Sequence, residues 1–272
     1  MIDPRAIIHP SARIGEQVSI GPWTMVGEGV EIGDGSEIGP HVILKGPTRL
    51  GANTRVYQFA SIGEDTPARV YAGEPTSLVV GEGNIFREGV TVHRGTVQDA
   101  FETRIGSHNL FMAYVHIAHD CVVGDHCVFA NNASISGHVR VGDWVNLGGY
   151  SGIPQFRQIG AHAMVAGMSL VLKDVPAYVS VAGNPAAAVG LNLEGLRRRD
   201  FSETALASLR QAYRHVYHGH ALLDAALDAL AGISDEDGHV AAFVTSIRES
   251  RFGIVRPRGE QGRDVAHADD DS

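Results

Sequence analysis

An apolar residue returns every six positions along most of this chain. From Ile2 the step runs through Ile8, Ile14, Ile20, Val26, Ile32, Ile38, Leu44, Leu50, Val56 and Ile62. Val80, Phe86 and Val92 keep the phase. The step resumes at Ile105 and continues through Phe111, Ile117, Val123, Phe129, Ile135, Val141, Leu147, Ile153, Ile159, Val165 and Val171. Six matches neither the 3.6 of a helix nor the alternation of an isolated strand. It matches a parallel β-helix, in which each hexapeptide is a short strand plus a corner. The position four after each rung residue is small or β-branched, as in Val18, Thr24, Val30, Ser36 and Ala60. The position just after it is often glycine, as in Gly15, Gly33, Gly124 and Gly142. The pattern therefore assigns an aliphatic plug, a small filler beside it, and a glycine that eases the corner. Three hexapeptides close one triangular coil of roughly 18 residues, so residues that far apart stack at about 4.8 Å, and the chain holds roughly nine coils.

The breaks divide the chain. Residues 1–183 read as the β-helix, with loop insertions near 64–79, where the phase is preserved, and near 93–104, where it shifts by one. Residues 184–256 read as a helical domain beginning at Gly183-Asn184-Pro185. There Ser202 can cap a helix with Leu206, Leu209, Tyr213 and Val216 on its apolar face, and further helices are expected over about 221–231 and 238–250. Residues 257–272, with Asp269-Asp270-Asp271 and little to bury, are expected to lack a packed structure.

Composition removes other classes. No apolar run is long enough for a membrane span, and the opening Met-Ile-Asp-Pro-Arg lacks a secretory layout, so a cytoplasmic location is expected. A net charge of −9 argues against a nucleic-acid binder. The two cysteines, Cys121 and Cys127, both fall in the filler slot and read as small buried hydrophobes on neighbouring faces, not as a disulfide or a nucleophile.

Stacking locates the chemistry. His119, two after the rung residue Ile117, should point outward, with Gly137 and then Gln155 in its column and ligand space over the glycine. His138 stacks over Asp120 in the next column, and His116 flanks the same surface. A histidine beside a carboxylate can serve as a general base, and a solvated histidine-rich face is the bland alternative. His93, His116 and His138 could be offered as zinc ligands, but no compact ligand spacing supports a metal site.

Beyond the period, several stretches are specific. Tyr57-Gln-Phe-Ala-Ser-Ile-Gly-Glu64, Tyr71-Ala-Gly-Glu-Pro-Thr76, Val92-His-Arg-Gly-Thr-Val-Gln98, His116-Ile-Ala-His-Asp-Cys121, Ala130-Asn-Asn-Ala133, Gly137-His138 and Asn192-Leu-Glu-Gly-Leu-Arg-Arg-Arg199 resemble the UDP-N-acetylglucosamine O-acyltransferases of lipid A synthesis. The likeness runs from Ile2 to about Arg251.

The resemblance implies left-handed coils and a homotrimer with active sites between prisms. It implies transfer of a 3-hydroxyacyl chain from acyl carrier protein to the 3-hydroxyl of the sugar nucleotide, with no metal or other cofactor. By match, His119 is the base, Asp120 its companion, and the Gly137 N–H the oxyanion donor. His116, His138 and Gln155 would line the donor and sugar site, and Asn192, Glu194, Arg198 and Arg199 would hold the nucleotide. Gly149 and Gly167 stack as a groove for the acyl chain, with Met168 adjoining, and glycine at 167 goes with longer chains. Arg197, Arg198, Arg199, Arg210, Arg214 and Arg251 could steer an acidic carrier protein. The sequence departs from the family at Ala68 and Val70, where Asp and Lys are common, and at Pro154, where His is common. These leave open a 3-amino sugar acceptor or, from the residues alone, a CoA-dependent acetyltransferase.

Overall fold

The computed structural model describes residues 1–259 apart from 68, 70, 220, 234 and 235. The chain winds a left-handed parallel β-helix of three sheets. It visits a first face at Ile7–Ile8, a second at Arg13–Ile14, a third at Ser19–Ile20, and returns to the first at Met25–Val26. Two faces carry eight strands and the third carries ten. Rung residues stack directly, as in Ile117 on Ile135 on Ile153. Val26, Leu44, Ile62, Val92, Ile117, Ile135 and Ile153 are all buried. Each such aliphatic contributes about 1.5–3 kcal/mol by leaving water. Some of the buried polar fillers are satisfied at the corner, whereas the Thr48 and Ser151 hydroxyls are buried without a partner among the described residues. The Thr24 hydroxyl donates to the Gly39 carbonyl at 2.6 Å and accepts from the Val42 N–H at 3.1 Å.

The corners differ from expectation in which residue turns the chain. The left-handed conformation falls three after most rung residues, in many coils on bulky side chains such as Asp120 (φ 58°), His126 (57°), His138 (63°), Trp144 (61°) and His162 (60°). The glycine directly after the rung serves a different purpose. A Cβ on Gly124 would lie 2.2 Å from the Asp143 carboxylate and 2.8 Å from the Asp143 nitrogen of the next coil, so glycine there permits close approach of coils. The cost of left-handed φ at non-glycine residues, of order 1 kcal/mol each, is opposed by ladders of stacked rings. His108, His126, Trp144, His162 and Tyr178 form one such ladder at the corner between the second and third faces.

Both loops leave the same edge, between the first and second faces. One spans 65–76, between strands Ser61–Glu64 and Ser77–Val80; the other spans 94–101, between Thr91–His93 and Glu102–Ile105. Buried Arg94 joins them, donating to the Gly63 carbonyl at 2.6 Å and to the Tyr71 hydroxyl at 3.0 Å, and pairing with Asp65.

After Val165 the coil shortens. Val175 bridges Ile159, and Val181 pairs with Val165. The segment expected to begin the helical domain instead opens with an antiparallel strand, Ala187–Leu191, on strand Val179–Ala182. It forms the end strand of the third sheet, with Ala187 and Ala188 buried. Helices α1 (Leu193–Arg197), α2 (Glu203–Tyr217), α3 (Leu223–Ala229) and α4 (His239–Arg248) follow, with one 3-10 turn, Leu230–Gly232, after α3. Ser202 caps α2 by accepting from the Ala205 N–H at 3.1 Å, and Leu206, Leu209, Tyr213 and Val216 are buried as the spacing predicts. Buried Asp174 knots the end of the chain to the coils, accepting from the Gln158 N–H at 2.8 Å and the Ser250 hydroxyl at 2.7 Å. Most of the tail expected to be unpacked, 260–272, lies outside the described residues. Among the described residues no helix is long and apolar enough to cross a membrane. Cys121 and Cys127 are buried and unpaired, and burial pushes each thiol up to about 12.

Candidate active site

The corner between the first and second faces gathers the acid–base groups. The strand His116–Ile117 ends at the rung, and the chain then turns through His119 and Asp120. The Asp120 turn is pinned by its own N–H, which donates to the Thr103 hydroxyl at 2.8 Å. Nδ1 of His119 lies 2.7 Å from Oδ2 of Asp120. The carboxylate accepts that proton, which leaves Nε2 with a free lone pair.

The column of His119, Gly137 and Gln155 forms as stacking predicts, but two of its expected properties do not. The space over Gly137 is not open: a Cβ there would lie 2.5 Å from Cε1 and 2.7 Å from Nε2 of His119, so the imidazole rests on the glycine. Nor is His119 a surface group. It is only 8% exposed, because the 94–101 loop folds over the corner. Among the described residues, nothing accepts the Gly137 N–H. Gln155 is exposed at the end of the column, next to Pro154.

Asp120 is the most heavily bonded group here. Thr96 donates its N–H to Oδ1 and its hydroxyl to Oδ2, both at 2.7 Å. Burial alone would raise the Asp120 carboxyl. The hydrogen bonds from His119 and Thr96 outweigh it and hold the group below the usual carboxylate range. His138 sits one coil on, its Nε2 3.8 Å from Oδ2 of Asp120 and its Nδ1 3.0 Å from Asp99. Phe156 stacks on the His138 ring at 4.5 Å. His116 shares a hydrogen bond with the Thr91 hydroxyl at 2.8 Å and meets the edge of His93 at 5.3 Å. Burial depresses both imidazoles, helped at His93 by the neighbouring His116, which takes it to about 4, and at His116 by His119. Thr96, Thr103 and Asp99 were not singled out by sequence reasoning. The phase break at 93–104 was the available signal, but a loop has no period to say which of its residues turns inward.

The rival zinc set of His93, His116 and His138 is not assembled. Among the described residues, the groups close enough to share an ion are His119, Asp120 and His138. There Oδ2 of Asp120 is already taken by two hydrogen bonds, so an ion would have to break them.

The other candidates lie on the other two edges. Gly149 and Gly167 stack as expected at the corner between the third and first faces, a Cβ on Gly167 lying 3.2 Å from the Gly149 carbonyl. Met168 beside them is 76% exposed. Asn192, Glu194, Arg198 and Arg199 lie by the corner between the second and third faces. Two of these four are occupied within the chain. Asn192 caps α1 through the Gly195 N–H and donates to the His162 carbonyl at 2.9 Å. Arg199 lies over Trp144 at 5.0 Å and donates to the Trp144 carbonyl at 3.0 Å. Burial, and then the Arg199 charge, depress His162 to about 4. Glu194 and Arg198 pair with each other and face solvent. Of the basic cluster, Arg197 and Arg210 share Glu203. Arg251 helps to line a depression of about 450 Å³ beside His138, Arg140 and Phe156. Ala68 and Val70 lie outside the described residues.

Comparison with known proteins finds close relatives over nearly the whole chain. The bacterial transferase hexapeptide family matches residues 11–46 and 102–137, and the UDP-N-acetylglucosamine O-acyltransferase domain 2 family matches residues 174–255. The acyl-[acyl-carrier-protein]–UDP-N-acetylglucosamine O-acyltransferase of Stutzerimonas stutzeri is 53% identical over 256 residues, covering 94% of this chain and 99% of that protein. The protein of that name from Ectopseudomonas mendocina is 55% identical over 255 residues, with 94% and 99% covered. Among solved structures, LpxA of Acinetobacter baumannii superposes with a TM-score of 0.91 at 46% identity, over 94% of this chain and 99% of that one. The UDP-N-acetylglucosamine acyltransferase of Francisella novicida gives 0.92 at 34%, over 98% and 100%. The chain thus belongs to the acyl-[acyl-carrier-protein]–UDP-N-acetylglucosamine O-acyltransferase family.

Proposed function

We propose that this chain moves a 3-hydroxyacyl group from acyl carrier protein to the 3-hydroxyl of UDP-N-acetylglucosamine, the first step of lipid A biosynthesis, in the cytoplasm. The observation that carries the reading is His119, with Nδ1 on Asp120 and its ring lying on Gly137. Nε2 takes the proton of the sugar hydroxyl as its oxygen attacks the thioester carbonyl. The carbonyl oxygen gains negative charge and accepts from the Gly137 N–H, a donor fixed by the coil backbone before the reaction begins. The tetrahedral intermediate collapses, the C–S bond breaks, and the thiolate of the carrier's prosthetic arm takes the proton from the His119 imidazolium. Asp120 stays ionised throughout and stabilises that imidazolium. His116 and His138 border the reacting centre, with Gln155 at the end of the column.

A homotrimer of prisms is part of the proposal. The base, the acyl groove and the nucleotide set occupy three different edges of one prism, and edges of neighbouring copies can meet where edges of one copy cannot. Glu194 and Arg198, exposed, are the members of the nucleotide set free to reach a ligand. Asn192 and Arg199 hold the backbone that presents them.

The test is mass spectrometry of products from purified protein, given 3-hydroxyacyl carrier thioesters with UDP-N-acetylglucosamine or its 3-amino analogue. A singly acylated UDP-N-acetylglucosamine is expected, and His119→Ala should lower turnover by about 10²–10⁴-fold without unfolding. Product only from the amino sugar would move the acceptor. Near-normal turnover of the variant would remove His119 from the mechanism.

A further inference from the structure

The 94–101 loop does more than cover the corner. Its ends are tied down on both sides: the Arg94 N–H donates to the Glu64 carbonyl at 3.1 Å, the Gly95 N–H to Ser77 at 3.2 Å, and the Ser77 N–H to Phe101 at 2.9 Å. Between these anchors Thr96 is 3% exposed and faces the Asp120 carboxylate. Its hydroxyl orientation is settled by its neighbours. The Gln98 N–H donates to the Thr96 oxygen at 3.3 Å, so the hydroxyl proton is the one directed at Oδ2 of Asp120. Oδ2 thus receives the Thr96 hydroxyl and the His119 ring together, while Oδ1 receives the Thr96 N–H. Three donors from two elements fix the carboxylate plane.

We infer that Thr96 is a positioning residue for the acyl transfer: its two hydrogen bonds set the Asp120 carboxylate so that Oδ2 meets Nδ1 of His119 and Nε2 is turned to the acceptor hydroxyl. This rests on His119 being the base. A carboxylate in a buried site could otherwise rotate about its own axis or take up a proton, and either change releases the ring. The strength of Asp120 as an acceptor is also divided. Because Oδ2 is shared with the Thr96 hydroxyl, it stabilises the imidazolium less than an unshared oxygen would. Other charged or titratable groups around the ring are His116 and His93 from the first face, and His138 with its partner Asp99 from the next coil and the loop. All of these side chains are retained in a Thr96 variant.

The experiment compares Thr96→Val and Thr96→Ser in the full-length enzyme. Valine keeps the branched shape and the backbone N–H but removes the hydroxyl. Serine restores the hydroxyl. Thr96→Val should lower kcat by about 10-fold with KM for both substrates nearly unchanged, the pattern of a group that orients the base and not the ligand. The acidic limb of its kcat/KM profile should move to higher pH, since Oδ2 then serves the imidazolium alone. Thr96→Ser should recover kcat to within about two-fold and restore the limb. An unchanged kcat and pH profile in Thr96→Val would overturn the assignment. So would equal losses in both variants, since loop packing, not the hydroxyl, would then be at work. His119→Ala is measured alongside. If it retains turnover, the reading of the base fails; if it is inactive while Thr96→Val is normal, only the role of Thr96 fails.

Discussion

Adding one methyl group at Gly137 should separate the catalytic reading from a merely structural one. The Cβ of Gly137→Ala would sit 2.5 Å from Cε1, 2.7 Å from Nε2 and 3.0 Å from Nδ1 of His119. Ordinary contacts begin near 3.4 Å, so the ring must retreat by roughly 1 Å. The ring is held from the other side by its 2.7 Å bond to Asp120, which is itself clamped by Thr96, so the retreat displaces the base from its working position. A misplacement of that size costs on the order of 10²-fold in rate, or about 2.7 kcal/mol of transition-state stabilisation. Folding should be nearly unaffected. Gly137 is not in the left-handed region, and the smaller entropy of an alanine-containing unfolded chain returns about 0.4–1 kcal/mol against the local strain. Steady-state kcat and KM with the acyl carrier thioester and the sugar nucleotide, beside thermal unfolding, measure both sides. The expected result is a kcat about 100-fold lower with an unchanged melting midpoint. In the double variant with His119→Ala, the methyl should have little further effect, because the group it displaces is gone. A Gly137→Ala enzyme retaining half or more of its kcat, or a double variant in which the two losses multiply, would refute the reasoning.

Three further outcomes can be checked. Gly167→Met should fill the groove formed with Gly149 and shift the donor preference from chains of about 12–14 carbons to shorter ones, each lost methylene contact being worth roughly 0.8 kcal/mol; an unchanged chain-length profile in a competition assay would take Gly167 out of the acyl site. Arg199→Ala should lower the melting temperature, since it strips the cation from Trp144 and a bond from its carbonyl, whereas exposed Arg198→Ala should leave melting alone and raise KM for the sugar nucleotide by about 10-fold; the reverse assignment would contradict the geometry. Stability should fall as pH drops from 6.5 toward 4. His93 and His162 are depressed to about 4 in the fold, so the unfolded chain binds more protons across that window. Denaturant midpoints measured across the window should decline less steeply in His162→Gln, and an identical slope would exclude His162 as a contributor.

Much of this protein is legible in its sequence because the fold is periodic. A six-residue step places Ile117, Ile135 and Ile153 in one stack without any knowledge of distant contacts, and the same arithmetic puts His119 over Gly137 and His138 over Asp120. The cap at Ser202 and the apolar face of α2 are equally local, depending on residues within a few turns of one another. Periodicity also has a blind side. It assigns a direction to each side chain but not what lies against it, so the glycine after the rung looks like the turning residue, when the neighbouring coil is what excludes a side chain there. The burial of His119, the clamp of Thr96 on Asp120, and the packing of Arg199 on Trp144 join residues 24 to 55 positions apart. Two of these contacts come from a loop and a helical tail that carry no repeat. They are decided by how those segments fold back on the prism, where close packing and the need to satisfy buried donors select one arrangement among many that the sequence pattern alone allows.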